Sequence, residues 1–282
     1  MKPRPHRPFL RQLGFFDPRT TQPKIVLVGA GGIGCPTALA LTRLGVQNLA
    51  VFDADTVDTH NVSTTMYALN QVGMPKVVAL GKLVKQFGYV ENHFVGYAEW
   101  FTRRTPLKRL PWRPDMIISG VDSVEARKEI FAFALKHRIP VMIDGRIGGE
   151  NLRVYTVDMS SPKERKAYLK SLPRPEQITP LPCNSQQVFD IGGFTASLIV
   201  RAVRKAGKGE YVSEIVVNPD LAMLVAKKKR FRKGGGLRAT SGFARHHRAI
   251  RTGTGSLNRT VRAVRGETQG KASRDENRAR SA

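Results

Sequence analysis

The sequence predicts an α/β protein in which helices flank a mostly parallel sheet and a disordered, basic tail follows. Three observations support this fold class. An apolar strand, a glycine loop, a helix and a second strand succeed one another over residues 24–53. Strands and helices then alternate up to residue 217, and this periodicity stops after Ala226. Such alternation is typical of a Rossmann-like sheet, because parallel neighbours need crossover helices.

The first strand–helix–strand unit consists of short apolar segments. KIVLV at 24–28 leads into the loop GAGGIG, a helix is predicted over 33–44, and NLAVFD ends at Asp53. Gly45 suits the residue after the helix, because glycine adopts the left-handed conformation without steric cost. This order of elements predicts two parallel strands joined by one helix.

The remaining elements continue the alternation. Strands are predicted near 92–97, 116–120, 141–144, 152–157 and 211–217, and helices over 76–87, 123–137, 162–171 and 186–206. The proline-rich segment 172–183 is predicted to be a loop, since proline lacks the N–H that regular elements use. The chain therefore divides into a basic N-terminal arm (1–22), a folded body (23–226) and a tail (227–282).

The charge of the chain is concentrated at its ends. The formal net charge is +25, and residues 227–282 hold seventeen Lys or Arg against three acidic residues. Two cysteines exclude a disulfide framework and a zinc ribbon. The sequence has no run of 18 apolar residues and no apolar stretch typical of a secretory signal. These features predict a cytoplasmic protein without a membrane segment.

The glycine loop predicts a nucleotide site. Gly29, Gly31 and Gly34 satisfy GxGxxG between a strand and a helix, and Gly32 adds a fourth glycine. Glycine lets backbone N–H groups approach a phosphate that a Cβ would obstruct. Asp53 lies nineteen residues after Gly34, where a carboxylate can hold ribose hydroxyls. The pattern alone leaves NAD and ATP as alternatives.

Further motifs make the chain resemble the ThiF/MoeB/HesA family, which adenylates protein C-termini as ubiquitin-activating enzymes do. The loop GAGGIG is followed by LTRLGV, then DADTV, and an Asn eight residues after the first Asp. VGMPKV at 72–77 and GVDSVEARK at 120–128 match two more family motifs. The resemblance spans residues 8–205. DGRIGGENLRVYTV at 144–157 is similar to bacterial and phage ThiF-like proteins.

The resemblance implies an ATP and Mg²⁺ site with defined roles. It assigns nucleotide contacts to Gly29, Gly31, Gly32, Gly34, Asp53, Asp55, Asn61 and Lys76. Lys76 would neutralise phosphate charge, and Asp122 would hold Mg²⁺. Three alternatives stay open: a solvated Lys76, an Asp55 that only supports the loop, and an Asp122 that caps the helix at 123–137.

One position departs from the family pattern. The family carries an arginine three residues after the Asn, and Thr64 stands there. A lost arginine removes charge stabilisation from a phosphoryl-transfer site. Arg11 is a candidate replacement, because relatives carry an N-terminal arm that reaches the active site of a partner subunit in a homodimer. Arg43 and Arg146 are further candidates.

The two cysteines have different predicted roles. Cys183 follows the proline-rich loop, where ThiF-like proteins often place a cysteine that accepts the activated carboxylate or a sulfur. A thiol near a helix N-terminus has a lowered pKa and is more nucleophilic. The alternative is that Cys183 packs as a small apolar residue. Cys35, directly after the glycine loop, is predicted to pack in the core.

These observations lead to one main functional prediction and three alternatives. The chain is predicted to adenylate the C-terminal glycine of a ubiquitin-like or sulfur-carrier protein. The basic tail over 227–282 could bind nucleic acid through phosphate charge, or could serve only as a solubilising extension. Nucleic-acid binding would fit a tRNA-modifying adenylating enzyme. Thr64 would fit a catalytically weakened nucleotide-binding scaffold. A nicotinamide dehydrogenase is the remaining alternative.

Overall fold

The structure is a computed structural model that describes residues 7–88, 92–148, 151–174, 188–218 and 223–231. Its strands are β1 (Lys24–Val28), β2 (Asn48–Phe52), β3 (His93–Tyr97), β4 (Met116–Ser119), β5 (Val141–Gly148), β6 (Asn151–Asp158), β7 (Glu210–Asn218) and β8 (Met223–Arg230). Its helices are α1 (Gly34–Leu44), α2 (Thr59–Val62), α3 (Lys76–Phe87), α4 (Val124–Lys136), α5 (Pro162–Lys170) and α6 (Phe189–Ala206).

All eight strands form one sheet in the order β3-β2-β1-β4-β5-β6-β7-β8. The first five strands in this order are parallel to their neighbours, and β6, β7 and β8 add antiparallel pairs. This confirms the predicted α/β class with a mostly parallel sheet. Between β1 and β4 the strand order reverses, and ligands of such sheets bind outside the carboxyl ends of the strands at that point.

Helices cover both faces of the sheet. In β1, Ile25 and Leu27 pack into a core formed with α1, α3 and α6. Val26 and Val28 point to the other face and pack into a second core, with α4 and α5. Alternate residues of a strand point to opposite faces, so a strand buried on both sides reads as a continuous apolar run. This burial explains the sequence KIVLV.

The described part of the predicted N-terminal arm packs against the body. Residues 7–12 form a 3-10 turn, in which Phe9 is 6% exposed. The side chain of Gln12 donates a hydrogen bond to the carbonyl oxygen of Leu44 at 2.6 Å. Gly45 has a φ of 93° as predicted, and an added Cβ there would lie 2.9 Å from the Phe9 ring. The segment 7–12 is therefore fixed at the end of α1.

The C-terminal edge of the sheet differs from the prediction. The last strand was expected at 211–217, but β8 follows it and extends to Arg230, four residues into the predicted tail. Contacts divide the chain into the units Met1–Thr240 and Ser241–Ala282, and every described residue belongs to the first. The tail was predicted to be disordered, and its residues 232–282 lie outside the described part of the chain. Among the described helices, none has the length and apolar character needed to cross a membrane.

Candidate functional site

The glycine loop and the loop after β4 lie side by side at the carboxyl ends of β1 and β4. The backbone N–H of Gly120 donates to the carbonyl oxygen of Val28 at 2.8 Å. A Cβ added to Gly29, whose φ is +95°, would lie 2.7 Å from the carbonyl oxygen of Gly120. The two loops touch so closely that only glycine fits between them. They form the floor of the candidate site.

The glycines at positions 31 and 34 of the loop are explained by different surroundings. A Cβ on Gly34 would lie 1.9 Å from the carbonyl oxygen of Gly29, so Gly34 is needed for the loop to fold. A Cβ on Gly31 would meet no atom within 4 Å. Gly32 lies in the turn between them and is partly exposed. Protein packing therefore explains Gly34, whereas Gly31 borders open space that a ligand can fill.

The N-terminus of α1 places partial positive charge next to the glycine loop. Its N-cap residue, Ile33, makes no side-chain cap hydrogen bond. In its first turn the N–H of Cys35 already donates to the carbonyl oxygen of Gly31 at 2.9 Å, and Pro36 has no N–H, so the attraction for an anion comes mainly from the partial positive charge of the helix dipole. With the open space at Gly31, this arrangement fits the phosphate groups of a nucleotide.

Asp53 connects the glycine loop to the loop after β2. One carboxylate oxygen accepts a hydrogen bond from the backbone N–H of Ala30 at 2.6 Å, and the other accepts from Asp55 at 2.9 Å. Burial raises the pKa of Asp53, and the two N–H donors oppose that shift. Each carboxylate oxygen has a second lone pair, so the group can still accept from ribose hydroxyls.

Lys76 is held at the rim of the glycine loop. Its ammonium lies 2.8 Å from a carboxylate oxygen of Asp55, with 10% of the Lys76 side chain and 54% of the Asp55 side chain exposed. The hydroxyl of Tyr67 lies 2.8 Å from the carbonyl oxygen of Ala30 and 3.3 Å from that of Lys76. The alternative of a solvated lysine is therefore wrong. Asp55 orients the ammonium that would face the phosphates.

Asn61 and Thr64 lie in and just after α2. The side-chain oxygen of Asn61 accepts a hydrogen bond from the backbone N–H of Asp58 at 3.0 Å, which leaves its NH₂ group as a donor. The hydroxyl of Thr64 donates to the carbonyl oxygen of Asn61 at 3.3 Å. Thr64 thus contributes a hydroxyl that is engaged locally, and no positive charge.

Asp122 presents an exposed carboxylate after β4. The hydroxyl of Ser123 accepts a hydrogen bond from the backbone N–H of Ala126 at 3.0 Å, which makes Ser123 the N-cap of α4. The alternative in which Asp122 caps this helix is therefore wrong. Among the described residues no cluster of three metal-ligating side chains occurs. A lone carboxylate fits Mg²⁺, which takes one or two protein carboxylates and completes its shell with water and substrate phosphates.

Arg127 fixes the loop that carries Asp122. Its guanidinium donates to the carbonyl oxygens of Asp122, at 2.7 Å, and of Val121. The same group donates to a carboxylate oxygen of Asp144 at 3.2 Å, and Asp144 is fully buried. The sequence analysis did not single out Asp144. Its only signal was an acidic residue at the end of the otherwise apolar run VMID.

The three candidate replacements for the missing arginine do not meet at the glycine loop. Arg11 is exposed, next to the Gln12 that bonds to the end of α1. Arg43 lies in the last turn of α1, with its guanidinium 5.1 Å from the centroid of the Phe87 ring. Arg146 forms an ion pair with Asp144 at 2.7 Å. Within the described part of one chain, none of the three takes the place of the arginine.

The cysteines are only partly described. Cys183 lies outside the described residues, so its predicted role stays a prediction. Cys35 is fully buried in the core around α1, as expected from its position. Burial raises the pKa of the Cys35 thiol to about 11. A thiol with this pKa is uncharged at neutral pH and is a poor nucleophile.

Comparison with known proteins identifies the family to which the chain belongs. A model described as the ThiF family matches residues 17–233. The chain is 30% identical over 118 residues to the ubiquitin-like modifier-activating enzyme 5 of Drosophila erecta, with 38% of this chain and 29% of that protein covered. It is 26% identical over 127 residues to the tRNA threonylcarbamoyladenosine dehydratase of Escherichia coli K12, with 45% and 47% covered. The chain thus spans less than half the length of these relatives.

Solved structures show the same fold at low sequence identity. The crystal structure of E. coli MccB with AMPCPP and MccA gives a TM-score of 0.57 at 14% identity, over 83% of this chain and 74% of that chain. The E. coli dehydratase TcdA in complex with AMP gives a TM-score of 0.54 at 19% identity, over 72% and 92%.

Proposed function

Because the chain belongs to the ThiF family, we propose that it is a cytoplasmic, ATP-dependent adenylyltransferase that activates the C-terminal carboxylate of a ubiquitin-like or sulfur-carrier protein. One observation carries this proposal: at the strand switch point the glycine loop, with open space beside Gly31, lies against the loop that leads to Asp122, and Lys76 is held next to the glycine loop. Among the relatives, the activating enzyme of a ubiquitin-like modifier supports this substrate class, and the structures that contain AMPCPP or AMP support an adenine nucleotide as ligand.

The proposed reaction is a single displacement at phosphorus. A carboxylate oxygen of the carrier protein attacks the α-phosphorus of ATP, and the bond from that phosphorus to the β-phosphate oxygen breaks. The products are an acyl adenylate and pyrophosphate. The attacking carboxylate is ionised at neutral pH, so no general base is needed. Catalysis then depends on alignment of the reactants and on stabilisation of the charge on the phosphates.

The residues around the glycine loop have separate proposed roles in this displacement. The space beside Gly31, at the positive end of the α1 dipole, receives phosphate oxygens. Asp53 accepts from the ribose hydroxyls, and Lys76, oriented by Asp55, neutralises phosphate charge. The free NH₂ group of Asn61 can donate to a phosphate oxygen.

Asp122 is the proposed Mg²⁺ ligand. The ion, when bound, shields the negative charge of the phosphates from the incoming carboxylate. Arg127 holds the backbone of Asp122 through its carbonyl oxygen at 2.7 Å. This hydrogen bond fixes the backbone from which the carboxylate of Asp122 extends.

Two further parts of the proposal involve residues away from the glycine loop. Cys183 is the proposed acceptor: its thiolate attacks the carbonyl carbon of the adenylate, AMP leaves, and a thioester forms. Arg11 lies at the end of α1 opposite the glycine loop, next to the contact between Gln12 and Leu44. It can therefore serve only the site of a second copy, in the homodimer that we propose.

ATP–pyrophosphate exchange tests the proposal. Purified protein is assayed with Mg²⁺ and candidate carrier proteins that end in Gly-Gly. We expect exchange that requires the carrier's terminal carboxylate and falls more than tenfold in Asp122→Asn. Glu125→Gln is the matched control, because Glu125 is also exposed and lies in the first turn of α4. Tight ATP binding without exchange for any carrier would contradict the proposal.

Two observations favour other functions. The match covers 47% of the tRNA dehydratase, and residues 227–282 carry seventeen basic residues, which favours a tRNA substrate. Adenylation of a modified tRNA base, lost when the tail is deleted, would support that function. Thr64 favours a weakened nucleotide-binding scaffold. In that case ATP binds without exchange, and Thr64→Arg is expected to raise the exchange rate.

A further inference from the structure

A second pocket is lined almost entirely by cationic side chains. It has a volume of about 420 Å³, and its lining residues are Phe15, Arg201, Arg204, Lys205 and Lys208. Four of the five residues carry a positive charge, and no acidic residue lines the pocket. None of them belongs to the candidate adenylation site.

The pocket lies at the end of α1 and α6 that is remote from the glycine loop. Near the loop, a Cβ on Gly145 would touch side chains of Ile33 and Thr195, so the first half of α6 lies beside the start of α1. At the other end, Gln12 bonds to Leu44, and Phe15 follows three residues later. The eleven residues of α1 separate the two places by roughly 16 Å.

The pocket combines an exposed aromatic ring with uncompensated charge. Phe15 is 64% exposed, and the guanidinium carbon of Arg204 lies 6.0 Å from its ring centroid. Within the described part of the chain, Lys205 is the one cation of the four that forms an ion pair, with Glu210 at 3.0 Å. Arg201 and Lys208 are exposed without such a partner. The Phe15 ring and the cations around it are therefore accessible to a ligand.

Glu210 does not balance this charge. A hydrogen bond from Lys205 lowers the pKa of Glu210, and the charges of Lys205, Arg230 and Lys208 lower it further. In the antiparallel register of β7 and β8, Arg230 lies opposite Glu210. One carboxylate thus faces several cations, and the net charge around the pocket stays positive.

Basic sequence continues from the rim of the pocket. The backbone N–H of Phe231 donates to the carbonyl oxygen of Gly209 at 3.3 Å, next to Lys208. The chain therefore leaves its described part beside the pocket. Residues 232–282 contain thirteen Lys or Arg and three acidic residues.

We propose that this pocket binds one nucleotide of a single-stranded nucleic acid. The base stacks on Phe15, and the flanking phosphates contact Arg201, Arg204 and Lys208. Sites for single strands combine an aromatic stacking surface with a positive groove. The volume of about 420 Å³ is within the range of small-ligand pockets and accommodates a nucleotide. A duplex buries the faces of its bases, so it cannot use the ring in this way.

Binding of a fluorescein-labelled RNA 12-mer to the full chain, followed by fluorescence anisotropy, tests this proposal. We expect Phe15→Ala to weaken binding about tenfold and Phe15→Tyr to retain it, because tyrosine keeps the stacking ring. Arg204→Ala combined with Lys208→Ala should reduce the slope of log K against log salt by about 1.4, or ~0.7 for each lost phosphate contact.

The matched control removes two cations with the same spacing elsewhere. Lys166 and Lys170 are exposed on α5 and are also four residues apart. Their double alanine variant should keep the salt slope of the wild type. An equal decrease of the salt slope in both double variants would mean that RNA is attracted by the general positive charge of the surface, and it would overturn the proposal. Unchanged binding in Phe15→Ala, or equal affinity for a duplex of the same length, would overturn it as well. ATP–pyrophosphate exchange by Phe15→Ala should equal that of the wild type.

Discussion

Asp144→Asn is expected to destabilise the protein strongly, because Asp144 is the shared counterion of two largely buried arginines. Its carboxylate is fully buried and lies 3.2 Å from the Arg127 guanidinium and 2.7 Å from that of Arg146. The side chains of Arg127 and Arg146 are 7% and 13% exposed. The hydroxyl of Tyr168 also donates to Asp144 at 3.1 Å. Asparagine keeps the size of the side chain but removes its charge and replaces one acceptor oxygen with an NH₂ donor, while both oxygens of Asp144 accept hydrogen bonds.

The magnitude follows from the burial of the charges. Removing one partner of a buried ion pair costs about 3–5 kcal/mol, because the remaining charge stays in a poorly solvated place. For a folded region of this size, such a loss lowers Tm by roughly 10 °C. Glu99→Gln is the control, since the Glu99–Arg109 pair at 2.9 Å is solvent-exposed. An exposed pair contributes at most about 1 kcal/mol.

Urea unfolding followed by circular dichroism measures both variants. A loss below about 1 kcal/mol in Asp144→Asn would refute the view that this carboxylate holds the two arginines. A second readout concerns function. Arg127 also holds the carbonyl oxygen of Asp122, so exchange at a temperature where the variant is fully folded should still fall. Full exchange activity there would mean that the position of Asp122 does not depend on Asp144.

Three further predictions concern single groups. Gly34→Ala should lower Tm and abolish ATP binding, because its Cβ would lie 1.9 Å from the carbonyl oxygen of Gly29. A Cβ on Gly31 would meet no protein atom within 4 Å, so Gly31→Ala should weaken ATP binding, measured by calorimetry, without lowering Tm. Burial raises the pKa of Asp53, so ATP affinity should fall on acidification at a higher pH than the usual aspartate value of about 3.9; a fall that persists unchanged in Asp53→Asn would exclude this cause. Cys35, with a pKa of about 11, should resist iodoacetamide at pH 8 in the folded chain and react in urea, as read by mass spectrometry.

The sequence predicted those parts of the site whose chemistry is local. The loop between β1 and α1 has its glycines at fixed spacing, because backbone approach and the turn both depend on neighbouring residues. The helix at 76–87 was predicted with its observed bounds, since a proline precedes it and its apolar residues recur at helical spacing. Asp53 was found for the same reason: it directly follows an apolar strand.

Contacts between distant segments could not be predicted in this way. Arg127 and Asp144 are separated by seventeen residues, and only the pairing of β4 with β5 brings them together. β8 was missed because four of its eight residues are basic, and its pairing with β7 decides its conformation. The same holds for the N-terminal segment, where Phe9 gains its burial from Gly45, 36 positions away in the chain. Tertiary context overrides local propensity in each case.

Because Thr64 replaces the family's arginine, the candidate site of a single chain has little positive charge to stabilise the phosphates. Lys76 is the one cation that the described residues place beside the glycine loop, and Asp55 already offsets part of its charge. ATP and the developing charge of the displacement carry several negative charges, so the described site is short of positive charge. Arg146 is committed to Asp144, and Arg43 and Arg11 lie at the far end of α1. Within the proposed mechanism the missing charge must therefore come from Mg²⁺ at Asp122 and from a second copy of the chain. On this reasoning exchange activity should depend on both.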